Sequence, residues 1–309
     1  MTILKMPLRI GTRGSPLALW QANHVATLLG PLAAPRQILL VEIQTTGDQV
    51  RDQPLGQIGG QGVFTKEIQR ALLDHQVDIA VHSLKDLPTL EVPGLTLAAV
   101  PQRGPSGDAF VSLKHRSFDA LPQGARVATS SLRRRSQALH RRPDLSLIDI
   151  RGNVETRLRK LVEQDLDGLI LAEAGLERLG LRDRISEVLD PQWMLPAVGQ
   201  GALAIECRSD DSAALDIVGP LNDIPTRQSV LAERAMLREL GGGCLVPIGA
   251  AAVVHHEKLK IRGVVLSADG RDRIESSAEG SPDDAEALGI WLAMELRRGG
   301  AQQLLHLAP

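Results

Sequence analysis

The chain has 309 residues, enough at roughly 100–200 residues per domain for two or three domains with sizeable apolar cores. Hydrophobic residues make up 43% and charged residues 23%, with 29 glycines and 18 prolines, which excludes disordered, collagen-like and disulfide-scaffold classes. A formal charge of −2, from 35 basic and 37 acidic residues, supplies no global field toward nucleic acid or membrane, and six aromatic rings with no tyrosine are too few for a base-stacking platform.

The opening MTILKMPLRIGTRG carries charges within an apolar run too short for a signal peptide, and no window approaches the ~18 apolar residues of a membrane span. The two cysteines, Cys207 and Cys244, form neither a metal spacing nor a disulfide framework. A reduced, cytoplasmic setting with free thiols is expected, with no metal site and neither nucleic acid nor membrane as a partner.

In chain order, Leu8–Thr12 reads as a strand. A helix is expected over about 15–29, with Ser15 as N-cap, Pro16 in the first helical position and Gly30 as its stop. Ile38–Thr45 is a second strand, followed by the glycine-rich QIGGQGVF and an amphipathic helix near 65–74. Asp78–His82 and Thr96–Val100 are short strands. After PQRGPSGD, a hinge by composition, the pattern restarts. The strands Arg126–Thr129, Leu145–Ile150 and Gly168–Leu171 each feed a helix, in SSLRRR, RGNVETRLRKL and EAGLERLG. A second hinge, LPAVGQG, precedes the apolar strand ALAIEC and a short helix near 210–218. From about 224 a helix (226–240) ends in GGGC, and strands at 247–255, 258–267 and 273–279 follow in series. A last helix opens at Ser281-Pro282-Asp283-Asp284 and stops at Gly299. Alternating strands and helices indicate two α/β domains around largely parallel sheets, and the serial strands indicate a smaller α+β domain.

The cations sit at strand ends. Arg13 and Ser15 follow the first strand, Ser83 and Lys85 the 78–82 strand, and Thr129, Ser130, Ser131, Arg133, Arg134 and Arg135 the 126–129 strand; Arg151 follows the next. Open α/β sheets place ligands at the carboxyl ends of their strands, where helix N-termini favour anions and the arginine fork matches carboxylate or phosphate. One arginine so placed is ordinarily a solvated helix face. Four strand ends, each mixing cation with hydroxyl, point to a polyanionic ligand between the two α/β domains. Asp86, inside HSLKDLP, is either a salt-bridge partner of these cations or a carboxylate kept ionised by them, able to hold an N–H group or a developing cation. Cys207 reads as a buried filler, whereas Cys244 follows three glycines and is either a filler or a thiol presented on a loop. GQGALA matches the dinucleotide fingerprint only loosely, at Gly199, Gly201 and Ala204, and precedes a strand where the fingerprint opens a helix.

IGTRGSPLALWQA, GGQGVFTKEIQ, DIAVHSLKDLP, DAFVS, ATSSLRRRSQ, DIRGNVETRL, ILAEAGLERLGL, LPAVGQGALAIECR, AERAML and GGGCLVPIGA together closely resemble the porphobilinogen deaminase (hydroxymethylbilane synthase) family, in order from about residue 8 to 300. The resemblance implies two periplasmic-binding-protein-like α/β domains, residues 1–101 plus 202–219 and residues 106–196, and a third α+β domain at 224–309. It implies a cytoplasmic monomer that joins four porphobilinogen units head to tail, with loss of ammonia, into hydroxymethylbilane. A dipyrromethane cofactor made from two substrate units would be thioether-linked to Cys244, with Asp86 as the catalytic aspartate. By motif position, Ser83, Lys85, Thr129, Ser131, Arg133, Arg134 and Arg157 would hold cofactor carboxylates, and Arg13, Ser15, Arg151 and Arg178 would face the substrate or growing chain. The family's Gly-Gly-Lys-Gly loop reads Gly59-Gly60-Gln61-Gly62 here, so this loop lacks the lysine charge. The competing reading is a non-enzymatic polycarboxylate-binding protein of periplasmic-binding type.

Overall fold

The computed structural model describes residues 6–49, 62–243 and 246–306. The chain opens with β1 (Leu8–Thr12), α1 (Pro16–Ala33), β2 (Ile38–Glu42), α2 (Thr46–Gln49), α3 (Lys66–Leu73), β3 (Ile79–Ser83) and β4 (Leu95–Ala99). It continues with β5 (Asp108–Val111), β6 (Arg126–Ala128), α4 (Leu132–Arg141), β7 (Ser146–Ile148), α5 (Val154–Glu163), β8 (Gly168–Ala172), α6 (Glu173–Arg178) and β9 (Glu187–Val188). It closes with β10 (Leu203–Arg208), α7 (Ser212–Val218), α8 (Ile224–Glu239), β11 (Ile248–His255), β12 (Lys258–Leu266), β13 (Arg273–Gly280), α9 (Ala285–Arg298) and α10 (Ala301–His306). Two compact units result: Met1–Arg103 with Ala202–Arg227, and Gly104–Gly201 with Gln228–Pro309.

The first unit holds a five-stranded sheet in the order β2-β1-β3-β10-β4. β1 runs parallel to β2 and β3, and β10 returns antiparallel between β3 and β4. The second unit repeats this plan in the order β7-β6-β8-β5-β9, with β5 as the antiparallel strand, and adds the meander β11-β12-β13. Each sheet has its own apolar core. In both five-stranded sheets the first three strands point the same way, so their carboxyl ends collect on one edge. That edge is where α1, α4 and α5 begin.

α1 departs from expectation at its end. It runs through Gly30 and Pro31 to Ala33, although proline removes one bond from the helical ladder. The reason is burial: Ala22, Val25, Leu29 and Ala33 recur at helical spacing and pack on Leu8, Ile10, Ile79 and Ile205. β2 stops at Glu42, three residues early, because its partner β1 ends at Thr12. β5 was not readable as a strand. Its four residues are all buried, so no alternation marks it, and it follows directly on the Pro/Gly-rich hinge.

α8 and α9 pack on the meander sheet around Met236, Leu292 and Leu296. Their backbones approach closely: a Cβ on Gly289 would lie 2.2 Å from the Ala232 carbonyl oxygen and 3.0 Å from the Ala235 Cβ. Gly289→Ala would gain about 1 kcal/mol of helix propensity. Overpacking against backbone costs typically about 1–3 kcal/mol, so the variant should unfold at a lower temperature than the parent; an unchanged or raised midpoint in calorimetry would contradict this contact.

Candidate functional site

In the first unit, the parallel pairing of β1 with β3 brings the residues that follow them to one cleft. A cavity of about 60 Å³ is lined by Arg13, Ser15, Gln21, Phe64, His82, Ser83 and Asp86, among others. Ser15 caps α1, accepting the Ala18 N–H at 3.3 Å. The Arg13 guanidinium lies 4.1 Å from the centre of the Phe64 ring, a cation–π placement that holds it over the cleft. The Ser83 hydroxyl accepts from the Gln21 side-chain amide at 2.8 Å. Asp86 ends the 3-10 turn Leu84–Asp86, which buried Leu84 anchors, and Lys85 is half-buried on the same turn. Behind the cleft His82 Nε2 lies 2.9 Å from the buried Glu206, which also accepts from Gln69 at 3.1 Å.

In the second unit, Thr129 follows β6 and is buried, its Oγ1 accepting the Ser131 N–H at 3.3 Å. Ser131 caps α4, whose first turn carries Arg133 and Arg134 inward; a solvated helix face would have turned them out. Both guanidiniums meet Asp108, which is wholly buried at the start of β5. Arg133 donates to its two oxygens at 2.6 and 3.2 Å, and Arg134 Nε to Oδ1 at 2.8 Å. Burial alone would push the Asp108 carboxyl up, but the two guanidiniums outweigh it and hold the group well below the usual carboxylate range. Two cations on one anion leave a net positive charge inside the domain. Arg134 shows this: burial lowers its basicity, Asp108 raises it, and neighbouring Arg133 lowers it further.

Arg157, on the first turn of α5, donates to the Gly152 carbonyl at 2.7 Å. Its pKa falls to about 10, first through burial and then through the charges of Arg134 and Arg151. Arg151 itself lies 3.7 Å from Asp149. Arg178, lowered by burial, donates to the Gly201 carbonyl at 2.6 Å. Arg134 and Arg151 thus crowd positive charge on Arg157 at the carboxyl ends of β6 and β7, an arrangement that carboxylate ligands would relieve. The acetate and propionate groups of a dipyrromethane fit this donor set.

Cys244 and Gln61 lie outside the described residues. Cys207 is buried within the first core, and burial followed by the Asp211 charge pushes its thiol up to about 11, so it stays protonated and unreactive. Sequence reasoning missed Asp108, Gln200, Gln21 and the His82–Glu206 pair as parts of these sites. For Asp108 a signal existed: one acid heading an otherwise apolar run needs a buried partner.

Residues 8–216 match the family model "Porphobilinogen deaminase, dipyromethane cofactor binding domain", and residues 227–298 match "Porphobilinogen deaminase, C-terminal domain". The chain belongs to the porphobilinogen deaminase family. A porphobilinogen deaminase of Syntrophotalea carbinolica is 50% identical over 298 residues, covering 96% of this chain and 95% of the relative. One of Syntrophomonas wolfei is 49% identical over 298 residues, covering 96% and 97%. Among solved structures, a periplasmic substrate-binding protein of an ABC transporter from Coxiella burnetii is similar over 73% of this chain and 94% of that chain, at 14% identity and a TM-score of 0.44. Family membership makes the chain a transferase of tetrapyrrole biosynthesis that works with a dipyrromethane cofactor.

The Asp108 cluster should dominate the stability of its domain. Asp108→Asn leaves two buried guanidiniums with no counter-ion and should cost about 3–5 kcal/mol. Because the folded-state pKa lies below the unfolded value of about 3.9, Asp108 contributes fully above that pH, and its contribution is lost as pH falls below it. Urea unfolding at neutral pH and near pH 3 should therefore show a large gap between parent and variant that narrows in acid. A gap that is absent, or that widens in acid, would contradict the assignment.

Proposed function

We propose that two arrays of side chains, one in each unit, carry out the family reaction, the head-to-tail joining of four porphobilinogen units with loss of ammonia. The observation that carries this reading is the surplus of positive charge around Arg134, Arg151 and Arg157, each set where a strand or helix end faces the same edge. When bound, the dipyrromethane supplies the terminal pyrrole at which the chain grows. In the second unit Thr129, Ser131, Arg134 and Arg157 hold its carboxylates, Arg133 contributes from within through Asp108, and Arg151 and Arg178 face the growing chain. In the first unit Ser83 and Lys85 serve cofactor carboxylates, and Arg13 and Ser15 serve the substrate. Cys244 is the point of thioether attachment, supported by its three preceding glycines and by the inert surroundings of Cys207.

Asp86 performs the chemistry. Departure of ammonia leaves the pyrrole of the substrate with a positive charge shared between its ring and its methylene carbon. The arginines answer carboxylates and oppose that charge, whereas the Asp86 carboxylate accepts the pyrrole N–H and offsets it. Carbon–carbon bond formation would release a proton into the cleft. An Asp86 oxygen takes it and passes it to the ammonia, which leaves as ammonium.

Three separate sheets, each with its own core, support a division into domains at 1–101 plus 202–219, 106–196 and 224–309, the last carrying Cys244. We place the chain in the cytoplasm as a monomer. Its two cysteines form no disulfide spacing, and among the described residues no helix is long and apolar enough to cross a membrane.

Intact-mass spectrometry tests the attachment: Cys244→Ala should carry no dipyrromethane and be inactive, while Cys207→Ala should keep the adduct. An adduct that survives in Cys244→Ala would overturn the assignment. Asp86→Asn keeps size and polarity but loses the charge. Its turnover, measured on protein already carrying the adduct, should fall about 100- to 1000-fold. Near-parental turnover would reduce Asp86 to a counter-ion of the surrounding cations.

A further inference from the structure

The segment Gly199-Gln200-Gly201, a hinge by composition and a failed dinucleotide fingerprint by motif, acquires a task in the structure. Its three residues each grip a different part of the second unit. The Gly199 N–H donates to Glu233 Oε2 at 2.7 Å, and the other oxygen of Glu233, a wholly buried residue of α8, accepts from Ala252 of β11 at 2.9 Å. The Gly201 carbonyl receives Arg178 at 2.6 Å, and Gly201 sits at φ +85°. A Cβ there would lie 2.6 Å from the carbonyl oxygens of Gly104 and Pro105, so only glycine can stand at this position.

Gln200 lies between them, 1% exposed. Its Nε2 donates toward Asp108 Oδ1 at 2.9 Å and the carbonyls of Ser106 and Gly107 at 2.8 and 3.0 Å, and its Oε1 accepts from Arg134 at 3.4 Å. This orientation of the amide is forced. Exchanging its oxygen and nitrogen would set an acceptor against three acceptors and a donor against a guanidinium. Gln200 therefore joins the two partners of the buried ion pair, fixing both the Asp108 carboxylate and the plane of the Arg134 fork.

We infer that Gln200 is a positioning residue for the carboxylate-binding arginines, set by a backbone segment that also grips the domain of α8 through Glu233. The inference rests on the assignment of Arg134 to cofactor carboxylates. Without the amide, Asp108 keeps both cations but loses the contact that orients it, so the arginines remain charged and lose their aim. The domain stays folded while anion binding weakens.

The test compares Gln200→Met, Arg134→Lys and the double variant with the parent. Each cofactor-free protein is given porphobilinogen, adduct formation is followed by intact mass, and kcat and KM are measured on the protein that has assembled. Gln200→Met should slow assembly and raise KM by roughly 10- to 100-fold, the scale of one hydrogen bond to a charged group, with a smaller change in kcat. The double variant should be no worse than Arg134→Lys alone, because both changes act on the same guanidinium. Parental assembly and KM in Gln200→Met, or losses that multiply in the double variant, would overturn the inference. Parental behaviour of Arg134→Lys would instead overturn the assignment of Arg134 itself. If Gln200→Met does not fold, Gln200→Glu is read in its place against the same outcomes, since it keeps the acceptor toward Arg134 and loses the donor toward Asp108.

Discussion

A single buried carboxylate shared by two guanidiniums organises the second unit. Asp108 stands at the start of β5, opposite Ala172 at the end of β8, so its side chain reaches the edge where β6 hands the chain to α4. A lone carboxylate so placed would be expelled or protonated, and two lone guanidiniums would not enter at all. Together they are stable, and the excess charge that remains cannot be removed without unfolding the domain. The proposed ligand binding draws on this residue of positive charge, because an incoming carboxylate would complete a neutralisation that the pair leaves unfinished.

The repetition of one sheet plan in both units explains why hydroxyls and cations recur at the same structural position. Three strands running the same way present their carboxyl ends together, and each next helix begins there with free N–H groups. Ser15 and Ser131 cap α1 and α4 at equivalent places, with Arg13 and Arg134 two or three residues away. The antiparallel strands then differ in content. β10 contributes Glu206, which meets His82 and Gln69, whereas β5 contributes Asp108, which meets two arginines. The cleft of the first unit carries Asp86 together with Arg13, whereas the cluster of the second unit holds two guanidiniums on one carboxylate.

Much of this was legible in the sequence. The places of Arg13, Ser83, Thr129 and Arg151 at or just past strand ends were legible, because alternation of apolar runs with capped helices locates carboxyl ends without any tertiary information. Ser15 and Ser131 cap α1 and α4, and Ser281 caps the 3-10 turn Pro282–Asp284 that leads into α9, since capping is a contact between residues two or three apart. The order of the meander and of α8 and α9 followed from local periodicity in the same way.

The departures have one cause, contact between residues distant in the chain. The stop at Gly30 failed because Ala33 completes a buried stripe that only the packed sheet provides. β5 escaped notice because a four-residue strand buried on both faces has no period to read. The inward turn of Arg133 and Arg134 depends on Asp108, 25 and 26 residues earlier, and on Gln200, 66 residues later than Arg134. Local pattern determined which residue types stand at the sheet edges. Only the tertiary structure decided which of those charges are neutralised inside the protein, because that balance is set by partners brought together across the fold.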